Sequence, residues 1–405
     1  FMRTLNQHIK QLSTIEFEEL SRMCTESRKL YNSALYIINC YFKETNKYLG
    51  YNEVYHIIKT NDHYKALPSK IAQQILRLVD KNFRSFFTLL QKKHRGEYAA
   101  QVKSPRYLHK DSKYLLILPS DQVSLYKGKL KVTKGLRIPF TYEIKGVIKQ
   151  VIIIPHKDNN YYTISIQYDE VPNTNLNLDK SKCLAIDLGL NNFASCITNI
   201  GHSFIVNGKP LKAYNQFYNK SKAKIQGELK TKNNKHWSNR LSRLNINRSN
   251  WINNYLNQTV SYIIKQCLSN NIGTLVCGYN ETWKQEINLG SKTNQNFVSI
   301  PFFLFKRKLE SKCNDHFIDF ILQEESYTSK CSFLDNEPIE KQETYKGQRV
   351  KRGLFKTSTN IMCNADVQAA GNILRKAVPN ASWSNGIEGS IVSPVKLKHC
   401  FNLQK

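Results

Sequence analysis

Leu184-Ala-Ile-Asp187-Leu-Gly-Leu-Asn-Asn-Phe193 is the stretch on which the reading of the fold turns. With Cys183 before it, it reads as a buried apolar strand that ends on a carboxylate, followed by a glycine turn. A second strand, Phe193 to Thr198, and a third, His202 to Val206, follow across Asn199-Ile-Gly201. Two more segments place a carboxylate at the edge of an apolar element: Gln323-Glu-Glu325-Ser-Tyr-Thr-Ser-Lys330 and Asn364-Ala-Asp366-Val-Gln-Ala-Ala-Gly-Asn-Ile373. Hard divalent cations take oxygen ligands, and cutting a phosphodiester at neutral pH needs such cations to create the nucleophile and stabilise the leaving oxygen. Asp187, Glu325 and Asp366 therefore point to a metal-dependent nuclease centre.

Working outward, Lys209 to Arg248 is strongly basic and reads as two helices. After it, Ile252, Tyr255, Leu256, Thr259, Val260, Ile263, Ile264 and Cys267 recur at helical spacing, the mark of a helix packed on the sheet. Gly273 to Gly278 reads as another buried strand and Phe317-Ile-Asp-Phe-Ile-Leu322 as the next. A carboxylate on the first strand of such a meander is the arrangement of ribonuclease-H-like nucleases.

The N-terminal half has a different period. From Thr14 to Leu90 it is helical, with Ile71, Ile75, Leu78, Val79, Phe86, Leu89 and Leu90 as one stripe and Ser69, after Pro68, as an N-cap. Gln91-Lys-Lys-His-Arg95 reads equally well as a solvated helix end or a phosphate contact. Between Tyr114 and Asp169 short strands punctuated by Lys127-Gly128, Gly135, Pro139 and Asp158-Asn-Asn160 predict an antiparallel, barrel-like module. Val171 to Asp179 is a polar linker between domains, so the fold class is α+β and multidomain.

The composition names a partner class. Lys and Arg number 60 against 31 Asp and Glu, a net charge of +29 spread along the chain. A polyanion is the natural partner, because each phosphate neutralised releases a counterion; charge alone also fits a merely basic soluble protein. The 22 Tyr and 19 Phe could add stacking surfaces for bases. Ten cysteines without a Cys-x-x-Cys pair suit reduced thiols inside a cell, and no apolar run is long enough for a membrane span.

These residues resemble the TnpB proteins of bacterial transposons, relatives of the type V CRISPR nucleases, and their eukaryotic relatives the Fanzor proteins. Asp187-Leu-Gly-Leu-Asn-Asn-Phe-Ala194 is similar to the family's first RuvC motif, and Asn364-Ala-Asp366 with Ala369-Ala-Gly-Asn-Ile373 to its third. Tyr327-Thr-Ser329 matches the motif before its zinc-ribbon insertion. The resemblance implies a wedge domain over 1–13 and 111–175, a helical recognition domain over 14–110 and a RuvC nuclease domain over 180–324 and 364–405. Residues 325–363 would be an insertion that binds the target nucleic acid.

It further implies an RNA-guided DNA endonuclease of a transposable element, using two Mg²⁺ ions, with Mn²⁺ able to substitute. A transposon-end-derived guide RNA would read double-stranded target DNA by pairing, the protein reading a short flanking motif. The compartment would be cytoplasm and nucleoid in a prokaryote, or the nucleus in a eukaryotic or viral setting. The alternatives are a nuclease-inactive RNA-guided DNA-binding repressor and an RNA-independent transposase or resolvase.

Two departures matter. Where most TnpB proteins end the second RuvC strand with Glu, this chain has Gly278. Glu325 is the compensating ligand, because adjacent strands lie about 4.8 Å apart and a carboxylate moved to the neighbouring strand can reach the same metals. That rearrangement resembles the site of the Fanzor branch and of some TnpB proteins; Glu281 and Glu324 are the rivals of Glu325. The second departure is that Cys331 and Cys363 are too few for a tetrahedral site, so the insertion is expected to fold without zinc. Its run Lys346-Gly-Gln-Arg349-Val-Lys351-Arg352 reads as phosphate contacts or as a solvated hairpin. Lys284 is a further candidate contact, and Trp283 with Asn288 to Asn296 reads as a polar loop.

Overall fold

The computed structural model describes residues 2–9, 12–144, 146–156, 161–170, 177–233, 237–280 and 300–397. Asp158-Asn-Asn160, residues 171–176 of the linker, Glu281, Trp283, Lys284 and Asn288 to Asn296 lie outside the described residues. Two compact units emerge, Phe1–Val171 and Pro172–Lys405. No helix among the described residues is long and apolar enough to cross a membrane.

In the first unit, strand β1 (Met2–Ile9) leads into helix α1 (Thr14–Thr45), and α2 (Tyr51–Ile58), α3 (Asp62–Lys65) and α4 (Ser69–His94) follow. The start of α1 is set by a capping box: Glu16 N–H donates to Ser13 Oγ at 3.3 Å and Ser13 N–H donates to Glu16 Oε2 at 2.8 Å. At α4 the expected Ser69 cap is replaced by Pro68, which holds the N-cap position without a side-chain bond. Ser69 is instead the first helical residue, because the fixed φ of Pro68 directs the chain into the helix without a hydroxyl. The buried face of α4 is Ile71, Ala72, Ile75, Leu76, Val79 and Phe83, and this leaves Leu78, Phe86, Leu89 and Leu90 half-buried at its edge.

The strands of this unit do not close into a barrel among the described residues. β2 (Leu116–Pro119), β6 (Val147–His156) and β7 (Tyr161–Asp169) join β1 in an antiparallel sheet of order β1-β7-β6-β2. β3 (Ser124–Tyr126), β4 (Lys129–Lys131) and β5 (Arg137–Pro139) form a separate meander. Here helices cover the sheet instead: Val151, Ile153, Ile164 and Ile166, alternating along β6 and β7, share a core with Leu20, Met23 and Leu35 of α1 and Ile75 of α4.

The second unit is built on the sheet predicted around Asp187. β8 (Asp179–Leu188), β9 (Asn192–Thr198) and β10 (Ser203–Asn207) form the antiparallel meander. Helices α5 (Lys209–Asn233) and α6 (Asn239–Ser269) come next, and β11 (Ile272–Tyr279) then returns parallel to β8. Helix α7 (Phe302–Asp315) leads to β12 (Asp319–Glu324), which lies parallel to β11. After β12 come β13 (Gln348–Lys351), β14 (Leu354–Lys356), β15 (Met362–Asn364), α8 (Ala365–Ala377), α9 (Ile387–Val392) and the edge strand β16 (Val395–Leu397). The large sheet has the order β12-β11-β8-β9-β10-β16, and β13-β14-β15 form a small sheet of their own.

Strand alternation divides this unit into two cores. Leu184, Ile186, Leu275 and Cys277 pack under α6 and α7, and every member of the predicted 252–267 stripe on α6 is buried there. Cys183, Ala185 and Val276 face the other way, onto Val367, Ala370, Ile373 and Leu374 of α8. Asp187 and Gly278 continue that second series at the strand ends. The pleat itself therefore aims position 187 at the helix that carries Asp366.

Candidate active site

Asp187 is the penultimate residue of β8, Glu325 follows the last residue of β12, and Asp366 sits in the first turn of α8. Glu325 N–H donates to Tyr279 O at 3.2 Å, so the ladder between β11 and β12 continues one residue past the strand and sets the Glu325 side chain over β11. At the N-terminus of α8, Asn364 Oδ1 accepts from the N–H groups of Asp366 and Val367, both at 3.1 Å. Asp366 Oδ2 accepts from Asn192 Nδ2 at 2.7 Å and Oδ1 from Arg349 Nη2 at 3.4 Å.

Gly278 explains how the two strands share this space. A Cβ at that position would lie 2.7 Å from Glu325 Oε2, 2.7 Å from Ile373 Cδ1 and 3.3 Å from Ile186 O. The carboxylate of Glu325 thus occupies the volume that a side chain at 278 would fill. Gly278→Ala is expected to displace Glu325, lowering catalysis about tenfold or more with little change in nucleic-acid affinity. Steady-state kinetics alongside a binding titration check this, and an unaltered rate would mean that the Glu325 position is unimportant.

The electrostatics are those of a crowded acid cluster. Burial pushes Asp187 well above the usual carboxylate range, repulsion from Glu325 and Asp366 pushes the same way, and Arg349 opposes both. Burial raises Glu325 to about 7, with Lys306 opposing and Glu324 adding to the rise. Glu325 Oε2 is buried and has no hydrogen-bond partner. An unsatisfied, buried acceptor beside two like charges is a site short of positive charge. In donor chemistry, three carboxylates suit a hard divalent cation. Among the described residues, however, no three His, Cys, Asp or Glu side chains form a group arranged to hold an ion.

The other expected residues fall into distinct places. Arg349, on β13, reaches the centre through Asp366, while Lys351 and Arg352 are exposed at the end of the same hairpin. With the amide of Asn191 oriented so that its oxygen faces the guanidinium, Arg352 Nε and Nη2 donate to it at 3.2 and 3.3 Å. Glu324 lies outside the trio. Its edge-strand position lets the carboxylate curl to Lys376 Nζ on α8, at 2.8 Å, and accept from Ser326 N–H at 2.7 Å. Glu281 and Lys284 lie outside the described residues.

Some contributors had no sequence signal. Lys306 on α7 stands over the Tyr279 ring at 5.5 Å, and nothing in its helix spacing linked it to a strand end. Gln368 and Asn372 were visible only as polar residues within an apolar segment. Both are buried amides that hold the segment after β12: Gln368 accepts from Phe333 N–H at 2.8 Å and donates to Cys331 O at 3.0 Å, and Asn372 Nδ2 donates to Thr328 O at 2.9 Å. Cys331 and Cys363 are buried as small apolar residues, Cys363 within the core under α8.

Residues 165–284 match the OrfB_IS605 family, described as a probable transposase. The likeness to that family is carried by this segment, and nothing singles out the Fanzor branch. A cryo-EM structure of a Cas12f1–sgRNA–target DNA complex is similar in fold, with a TM-score of 0.57 and 15% identity over 89% of this chain and 83% of that one. A CRISPR-Cas12f ternary complex aligns at a TM-score of 0.38 and 14% identity over 93% and 84% of the two chains. No curated protein sequence matches.

Proposed function

We propose that the chain is an RNA-guided DNA endonuclease of a transposable element, with Asp187, Glu325 and Asp366 as the ligands of a divalent-metal centre. The observation that carries this reading is the buried, unpartnered Glu325 Oε2, set over Gly278, together with an Asp187 that both Glu325 and Asp366 repel. The strand order, an antiparallel meander followed by two strands parallel to its first member, is the ribonuclease-H-like arrangement and supports the same reading. Divalent cations held there would supply nucleophile activation and leaving-oxygen stabilisation. Asp187 and Glu325 would serve as ligands once ionised. Asn192 orients Asp366, and Arg349 stands where it can pair with a backbone phosphate when Asp366 turns to a cation. The partners in this reading are a guide RNA and double-stranded target DNA, consistent with the TnpB-like segment and with the net charge of +29.

The test is cleavage of a DNA target matched to the RNA that copurifies with the protein. Chelation should abolish it, and Mg²⁺ or Mn²⁺ should restore it. Cleavage that persists in excess EDTA rules out the metal centre, and guide-dependent binding without any cleavage would make the chain a DNA binder.

The raised pKa of Glu325 adds a pH dependence. Its carboxyl is protonated up to about 7, and a proton there competes with the cation. The Mg²⁺ concentration needed for half-maximal rate should therefore fall by about tenfold per pH unit as pH rises toward 7, for one displaced proton, and level off above it. Metal titrations between acidic and mildly alkaline pH measure this. A requirement that is flat across that range would contradict the buried acid as a ligand.

A further inference from the structure

The hairpin of α5 and α6 carries an aromatic stack that the carboxylate centre does not use. Tyr255, buried under the sheet, stacks on Trp251 at 5.8 Å and 16°. Trp251 stacks on Tyr214 at 4.4 Å and 4°. Tyr214 in turn meets Phe217 at 6.1 Å, tilted by 51°, and Phe217 is 58% exposed. The rings run from core to surface and end on an aromatic ring open to solvent.

Cations surround that end. Phe217, Lys220 and Lys224 follow one another at i, i+3 and i+7, so they lie along one stripe of α5, and all three are exposed. Beside them the Arg248 guanidinium lies 4.7 Å from the Tyr218 ring centre and Lys222 Nζ 6.0 Å from it. Tyr218 OH donates to Asn245 Oδ1 at 2.7 Å and Arg248 Nε to Asn215 Oδ1 at 2.9 Å, so the two helices are fixed to each other behind the stripe. A rigidly backed aromatic ring in a row of cations has the chemistry that binds unpaired nucleotides: a π-face for the base and ammonium groups for the phosphates on either side. A duplex offers no free base face to such a ring.

We propose that Phe217 is a base-stacking platform for single-stranded nucleic acid, with Lys220 and Lys224 contacting the flanking phosphates. This rests on the reading that the partners are nucleic acids, and it is independent of whether the carboxylate centre cuts. The strand can be an unpaired stretch of RNA or a displaced DNA strand, which share this chemistry.

The test is binding of the full chain to labelled oligo(rU), to oligo(dT) and to a duplex of the same length, by anisotropy. Phe217→Ala should weaken single-strand binding about tenfold, and Phe217→Trp should restore it. Duplex binding should be unchanged, and the salt slope should also be unchanged because no charge is lost. Lys220→Gln should instead lower that slope by about 0.7. Loss confined to oligo(rU) identifies RNA as the occupant, and loss confined to oligo(dT) identifies DNA. Phe217→Ala binding both strands within about twofold of the parent chain overturns the proposal, as does an equal loss on the duplex. A change seen only in self-association by sedimentation would make the ring a protein contact and overturn it too. Because Phe217 is on the surface, the variants should melt like the parent, and a large melting shift would return the ring to a structural role. The readout needs no cleavage, so a failed nuclease reading and a failed platform are told apart.

Discussion

Asp187→Ala and Asp366→Ala are each expected to reduce target cleavage by about a thousandfold or more, and each should leave guide and target binding within about twofold. Both carboxylates face the crowded acid cluster, where they would oppose a nucleic-acid phosphate, so their loss removes no attraction to the backbone. The two variants should differ in stability. Asp187 is held against burial and against two like charges, so in metal-free protein Asp187→Ala relieves repulsion and should melt at or above the parent temperature. Asp366→Ala forfeits the bonds from Asn192 and Arg349 and should melt lower, by roughly 1 kcal/mol of stability. Added Mg²⁺ should raise the melting temperature of the parent more than that of either variant. Cleavage within a few-fold of the parent, for either substitution, would remove these residues from the centre.

Glu325→Ala should be as inactive as Asp187→Ala, and Glu324→Ala should keep most of its activity. The difference comes from where each carboxylate lies. Glu325 is buried over Gly278 with an unpartnered oxygen, whereas Glu324 is drawn aside by Lys376 and Ser326. Removing Glu325 also vacates the space a side chain at 278 needs, leaving Ile373 Cδ1, the end of a flexible side chain, as the main obstacle. Gly278→Glu in the Glu325→Ala background is therefore expected to recover part of the activity, and Gly278→Glu alone should be inactive because two side chains would compete for one volume. Matched single-turnover rates for these variants and the parent decide this. Full activity of Glu325→Ala would refute the assignment, and activity lost in Glu281→Ala instead would move the third ligand into the segment after β11.

The parts legible in the sequence were those fixed by local periodicity. The Asp187 meander, the 252–267 helix stripe and the carboxylate at the edge of each of the three segments follow from apolar alternation and helical spacing. The capping box at Ser13 and Glu16 is equally local, written as Ser-x-x-Glu before an apolar run. Residue type alone favours Ser69 as a cap, although the preceding proline already sets the entry angle. The barrel-like expectation erred because strand patterns report which faces are apolar but do not report whether a sheet closes on itself or is covered by helices.

By itself the sequence determined that acids stand at the edges of three apolar elements, at 187, 325 and 366, that the chain is strongly basic and that residue 278 is a glycine. Only the tertiary structure decided that the vacancy at Gly278 is filled from the neighbouring strand, that Arg349 leans onto Asp366 and that Glu324 is drawn away by Lys376. The reason is physical: a carboxylate's position along one strand is a matter of local backbone geometry, which the order of residues carries. Its distance from another carboxylate depends on the register between strands and on the helix packed across them, and these are set by burial of side chains far apart in the chain.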